Sequence, residues 1–500
     1  MNKSKSRVKR NLISGVLYQV ILIAMGFLLP RLYLENFGSE VNGILSTIKQ
    51  IFIYLFLLEA GVGLATTQAL YKCVAEEDHK KTNSILSATK IYYRKTGIIY
   101  SLIILAWGVI YSFAVKTSVH PLVIFAIIVA NALPRIFNYF IQAKYNILLE
   151  VDGRRYILNG TETIMQLASN ILKILVVIFS DDLVLIQLAY CIPVILQLIF
   201  LYFYTKKNYS WLDLNEEPDF EAIGQKNSVL IHQISGMVFN NTDIILLSLL
   251  CDFKVVSVYT IYNIFFSQVQ TFITSIISGF TFALGQTFQT NREKFKELYK
   301  AYEMTLIMST FIIFTLMASF LLPLIQIYTG GINDAPYTNV LLLILFVIMS
   351  LMSNSKYAAT QVIEFSGEFD KTRKYAIGEM IINISLSIIA IIYFGICGAL
   401  MGTCAALLYR GITTIYYANK KVLGISTFNT YKHIILNGLV FLVVIMILPA
   451  DKFSGASFLK LFGAGVLNAI WVVALFVIVN FVFNKNNFKT LVNLYRRNDK

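Results

Sequence analysis

A chain of 500 residues that is 57% hydrophobic and only 14% charged, with a mean hydropathy of +0.67, has more apolar surface than a soluble core can hide. That excludes a water-soluble globular protein. The formal charge of +14 would suit a nucleic-acid partner, but the placement of the basic residues, described below, assigns it to membrane topology. The basic residues at 1–10 precede an apolar run too long for a cleavable signal and without a clear small-residue cleavage site, so the first helix is expected to stay in the product.

In chain order, apolar segments of spanning length run at about 12–34, 42–70, 96–116, 121–143, 158–179 and 183–204. After a polar stretch they resume at about 227–250, 256–283, 303–326, 338–360, 375–394 and 396–418, and a last pair follows at about 433–449 and 458–483. The expectation is an all-α polytopic membrane protein with about 14 transmembrane helices. An N-terminal six-helix lobe occupies 1–204, a cytoplasmic linker 205–226 and a second six-helix lobe 227–418. An additional transmembrane helix pair at 419–484 and a basic cytoplasmic tail at 485–500 complete the chain. The first two segments meet in a polar turn at 35–40, and the acidic stretch 213–221 reads as a solvated linker.

Lysine and arginine orient this array. Of the 42 basic residues, 32 fall at the N-terminus, in alternate loops and in the tail; the opposite loops and helix edges hold only Lys116, Lys254, Lys452 and Lys460. By the positive-inside bias both termini are cytoplasmic.

A weak internal repeat relates the halves. Gly61, Ala65 and Gln68 recur as Gly279, Ala283 and Gln286 at an offset of 218 residues, and the same offset maps one six-helix block onto the other. An even number of helices per repeat keeps orientation, which predicts two bundles in pseudo-twofold relation about the membrane normal with a cavity between them.

Polar stripes at helical spacing mark the faces expected to line that cavity. They are Asn131, Arg135, Asn138 and Gln142; Glu162, Gln166, Ser169 and Lys173; His232, Gly236, Asn240 and Asp243; and Tyr259, Asn263, Ser267, Gln270 and Thr274. The cations within helices are Arg31, Lys49, Arg135, Lys173, Lys356 and Arg410, and the clearest acids are Glu59, Asp243 and Glu379. Six such cations in lipid would cost about 15–20 kcal/mol even on the lenient insertion scale, so they face protein or water. Arg135 and Lys173, deep and on polar stripes, read as ligand groups; Arg31 and Lys356 lie near membrane edges where snorkelling also explains them. His232 reads as a core histidine.

The five cysteines form no disulfide framework or metal spacing: Cys397 and Cys404 share a helix face but stand about 10 Å apart along it. No phosphate-loop, zinc-hydrolase or serine-esterase pattern is present, which leaves transport without an ATPase of its own, no cofactor and no enzyme.

Pro30-Arg31 followed by Phe37-Gly38-Ser39-Glu40-Val41-Asn42-Gly43, then Glu59-Ala60-Gly61-Val62-Gly63, and Phe239-Asn240-Asn241-Thr242-Asp243 before Tyr259, Tyr262 and Asn263, carry a resemblance. The chain resembles the Wzx-type polysaccharide-biosynthesis flippases of the multidrug, oligosaccharidyl-lipid and polysaccharide exporter superfamily. The resemblance covers essentially the whole chain. It implies a bacterial inner-membrane protein that moves an undecaprenyl-diphosphate-linked oligosaccharide from the cytoplasmic to the outer leaflet, alongside polysaccharide polymerase and export machinery. The cation excess fits an anionic diphosphate. The substrate-binding set is then Arg31, Lys49, Arg135, Lys173 and Arg410 with Asn131, Asn138, Gln142 and Asn263. Asp243, Glu379 and Glu59 are the candidates for coupling to Na+ or H+. The alternative is an ion-coupled multidrug or metabolite antiporter of the same superfamily, for which organic-cation substrates would call for an acidic cavity. A membrane-embedded glycan polymerase is disfavoured because no large outer loop is present.

Overall fold

The computed structural model describes residues 2–55, 62–223, 227–485, 487–488 and 490, with side chains from residue 23 onward except at 62, 64, 227–235, 239–240, 278–279 and 282–283. The described residues of each segment of spanning length read from the sequence fall mainly on helix, and among the described residues no strand occurs. The protein is an all-helical polytopic membrane protein. Ten helical runs among the described residues are long and apolar enough to cross a membrane by length and composition.

The chain forms two compact units, Met1–Leu230 and Ile231–Lys500. In the first, α1 (Asn2–Leu55) is a helical run broken at Gly38, whose φ of 76° lies where a side chain would be strained. The polar turn expected at 35–40 is therefore reduced to a break at one residue. Just beyond it the Glu40 carboxylate accepts hydrogen bonds from Thr117 Oγ1 at 2.6 Å, Ser118 N at 2.8 Å and Ser118 Oγ at 2.6 Å, tying α1 to the loop at 115–120.

The remaining helices of this unit are α2 (Val62–Ala75), α3 (His79–Ala114), α4 (Pro121–Phe137), α5 (Ala143–Val151), α6 (Arg155–Phe179), α7 (Leu183–Leu188) and α8 (Cys191–Asn208). Tyr33, Val177 and Ile186 bury together where α1, α6 and α7 meet. The segment after α8 is not a free linker throughout. Trp211 stacks on His79 at 4.1 Å, its carbonyl accepts from Asn83 Nδ2 at 3.1 Å, and Asp219 pairs with Lys81 at 2.5 Å. The Lys81 ammonium holds the Asp219 carboxyl below the usual carboxylate range.

The second unit comprises α9 (Asn227–Leu250), α10 (Phe253–Thr290), α11 (Arg292–Tyr328), α12 (Val340–Ser355), α13 (Tyr357–Ser366), α14 (Phe369–Phe394), α15 (Ile396–Tyr416), α16 (Phe428–Ile447) and α17 (Phe458–Phe483). Side-chain caps explain several of the starts: Asp252 accepts from Lys254 N, Asn291 from Lys294 N and Asn339 from Leu342 N. Helices α14 and α15 form its tightest contact. A Cβ on Gly398 would lie 2.1 Å from the Ala390 carbonyl oxygen, and one on Gly402 would lie 2.3 Å from Ser387 Oγ. Only glycine lets these backbones approach so closely, as small-residue spacing does in lipid. Helices α16 and α17 pack on α11 and are joined to each other by Asn437 and Asn480, whose amides exchange hydrogen bonds at 2.8 and 3.4 Å.

Candidate functional site

In the first unit α4 carries Pro134, which lacks the N–H for an intrahelical bond, and four residues on the chain passes through a π-helical turn, Asn138–Gln142, into α5. This irregular stretch presents the first polar stripe to a cavity of about 700 Å³ built wholly within this unit. Asn131, Arg135, Asn138 and Gln142 line it from the α4 side, Glu162 and Gln166 from α6, and Lys49 from α1. Asn146, Gln197, Tyr100 and Tyr190 complete its polar and aromatic wall.

Lys49 is open to this space and forms no ion pair with any described residue. Lys173 places its ammonium over the Tyr190 ring at 5.1 Å and lies within electrostatic reach of Lys49. Arg135 lies in the electrostatic surroundings of Tyr100. Asn131 donates to the Ile127 carbonyl at 2.8 Å, which leaves its Oδ1 as the free recognition atom of its amide. Two cations, Lys49 and Arg135, and a set of side-chain amides thus line one water-accessible space, with Lys173 outside the wall behind Tyr190, an arrangement suited to an anion flanked by hydroxyl groups.

The second unit holds the acidic candidates. Asp243 is buried and accepts from Tyr259 Oη at 2.8 Å, with Thr403 Oγ1 at 3.1 and 3.2 Å from its two oxygens. Asn383 donates to that same Thr403 hydroxyl at 2.9 Å, and its own Oδ1 meets no donor among the described residues. The Ala399 carbonyl stands 3.1 Å from Thr403 Oγ1. The result is a knot of oxygens drawn from α9, α10, α14 and α15, with no cationic side chain paired to the carboxylate among the described residues.

Folds of this kind are known. No protein-family model and no curated relative matches the sequence, but solved structures match along most of its length. A multidrug resistance MATE family transporter of the MOP superfamily, inward-facing, aligns with a TM-score of 0.65 at 13% identity, over 83% of this chain and 98% of that one. The lipid II flippase MurJ in an inward closed conformation aligns with a TM-score of 0.64 at 15% identity, over 95% of this chain and 99% of that one. The fold is that of the MOP-superfamily transporters. A further MOP transporter, from Pyrococcus furiosus and described by the reverse polarity of its binding pocket, aligns at 0.53 and 12% identity, over 85% and 97%.

The other sequence candidates are placed differently. Glu379 on α14 stands between Lys356, at 3.6 Å, and Arg410, at 3.4 Å. Arg410, read from the sequence as a substrate ligand, is here one arm of a triad of two cations and one carboxylate. Arg31 pairs with Glu35 one turn along its own helix at 2.5 Å and is absent from the cavity wall. Asn263 is half-buried on α10 of the second unit. Glu59 and Gly61 lie outside the described residues, as do the side chains of His232, Asn240 and Ala283.

Two acidic residues gained importance that the sequence did not give them. Glu162, read only as a member of a stripe, is a carboxylate in the cavity wall. Glu303 is buried in α11, where it accepts from Tyr299 Oη and Thr430 Oγ1, both at 2.8 Å, beside an Asn419 that joins the same network. Its i, i+4 spacing to Tyr299 was visible in the sequence; its contact with Thr430 at the start of α16 was not.

Proposed function

We propose that this protein is a flippase for a polyprenyl-diphosphate-linked oligosaccharide, working by alternating access in a bacterial cytoplasmic membrane with both termini inside. The cavity of the first unit carries the reading. Lys49, Arg135 and Lys173 supply charge-assisted donors for the diphosphate, and the surrounding amides offer paired donors and acceptors for sugar hydroxyls. The polyprenyl tail stays in lipid, where burying it costs nothing. Asp243, in its oxygen cluster, is the best-placed coupling group for Na+ or H+; Glu379 is already neutralised by two cations.

The likeness to a MATE transporter favours a second reading, an ion-coupled antiporter of drugs or metabolites. A cavity in which cations outnumber carboxylates weighs against organic-cation substrates for it.

The separating experiment is deletion of the chromosomal copy, with the leaflet location of lipid-linked sugar and the sensitivity to cationic dyes measured together. The flippase reading expects repeat units held on the cytoplasmic leaflet and unchanged dye sensitivity. Dye hypersensitivity with normal lipid-linked sugar outside establishes the antiporter instead.

A further inference from the structure

The cavity has a polarity along one helix that the flippase reading does not use. Glu162 and Lys173 share a face of α6 and are 11 residues apart, about 16 Å at the helical rise. The carboxylate lines the cavity, and at the other end the ammonium rests over Tyr190, itself in the wall. Glu162 makes no ion pair or hydrogen bond with a described residue. Its charged neighbours, Arg155 and Glu150, are bonded to one another at 2.5 Å and so are largely spent on each other. Around it the wall is amide: Gln166, Asn146 and Gln197.

The geometry points to Glu162 as the residue that selects the charge of the carried glycan, admitting neutral or amine-bearing sugars and rejecting uronates. This rests on the flippase reading of the same cavity. With the diphosphate held at the Lys49 and Lys173 end, a diphosphate alone does not span the distance to Glu162, but one extended by sugar rings does. A hydroxyl or an amine arriving there donates to a carboxylate that otherwise has no partner. A uronate arriving there brings a second carboxylate into a partly desolvated space, and like charges placed together are the strongest means of discriminating against a ligand.

The test uses the purified full-length protein in lipid nanodiscs and two fluorescent polyprenyl-diphosphate disaccharides that differ only in a terminal glucose or glucuronate. Wild type is expected to bind the glucose probe about tenfold or more tightly than the glucuronate probe. Glu162→Gln is expected to collapse that ratio and Glu162→Lys to reverse it, while Lys49→Ala weakens both probes alike. Equal binding of the two probes to wild type overturns the inference and leaves the flippase reading standing, and this measurement needs no variant to fold. A ratio unmoved by both Glu162 substitutions overturns it as well. Failure of wild type to bind either probe overturns both readings together.

Discussion

Tyr259 donates its hydroxyl to the Asp243 carboxylate across 2.8 Å, so the one acid of α9 that faces α10 is already held by a neutral partner and not by a cation. No cationic side chain among the described residues therefore competes with an ion that arrives at it. Asp243→Asn preserves the size and removes the charge. In vesicles with imposed sodium or proton gradients the variant is expected to lose the gradient-dependent part of transport. If its gradient dependence equals that of wild type, Asp243 is a packing residue and the coupling group lies elsewhere.

The cavity cations make the second prediction. Each charge-assisted hydrogen bond to a phosphate is worth about 1.5–3 kcal/mol, so Arg135→Ala and Lys173→Ala should each lower affinity for the diphosphate about tenfold or more. Surface glycan falls while the protein remains in the membrane, and Arg135→Lys retains part of the activity. Normal export by both alanine variants at normal expression removes these residues from the mechanism.

The triad of Lys356, Glu379 and Arg410 predicts a change in stability. Glu379→Gln leaves two half-buried cations facing one another without their shared anion, and removing one partner of such a group costs about 3 kcal/mol at most, the contacts of 3.4 and 3.6 Å being long. Unfolding in detergent should shift accordingly. A variant as stable as wild type shows that these side chains are solvated or paired elsewhere.

Docking of the segment after α8 should depend on pH. The Asp219 pKa is lowered in the folded protein, so its pairing with Lys81 contributes at neutral pH and is lost as pH falls through that lowered value. Proteolytic cleavage within 213–221 is expected to be slow at pH 7 and to quicken only in acid. Asp219→Asn should quicken it at pH 7; cleavage equally slow in that variant would assign the docking to Trp211, through its stacking on His79 and the Asn83 hydrogen bond to its carbonyl.

The orientation is testable at exposed positions. Single cysteines replacing Ser454 and Asn208, both exposed, should react from outside and only after permeabilisation, respectively. External labelling at Asn208 reverses the topology.

The helices were legible because a spanning segment must be long, apolar and self-satisfied in its hydrogen bonds, and each of these is a local property of sequence. The stripes on α4 and α6 were legible for a similar reason: four residues of one face recur at the helical period whatever the neighbouring helix does. What lay beyond reach was partner choice. Arg410 and Glu379 are 31 positions apart in the chain, and nothing local distinguishes an arginine bound to a carboxylate from one waiting for a phosphate. The π-helical turn at Asn138–Gln142 was likewise hidden, although Pro134 marked the place where regular hydrogen bonding would fail. Glu303 sat at the edge of an apolar run as if belonging to the loop, and only its contacts with Thr430 and Tyr299 reveal it as interior.

The amides that join Asn437 to Asn480 have a consequence for how the chain is made. Each lies within an apolar helix and donates to a carbonyl one turn back, His433 and Phe476 respectively, which leaves its Oδ1 to be satisfied by the other helix. Asn437 emerges from the ribosome 43 residues ahead of its partner, roughly 2–9 s at ordinary elongation rates. During that interval α16, long and apolar enough to span by itself, carries an Asn437 Oδ1 whose donor on α17 has not yet been made. The last hydrogen bond of α16 is therefore completed only by the arrival of α17, and a chain that stops between them lacks it.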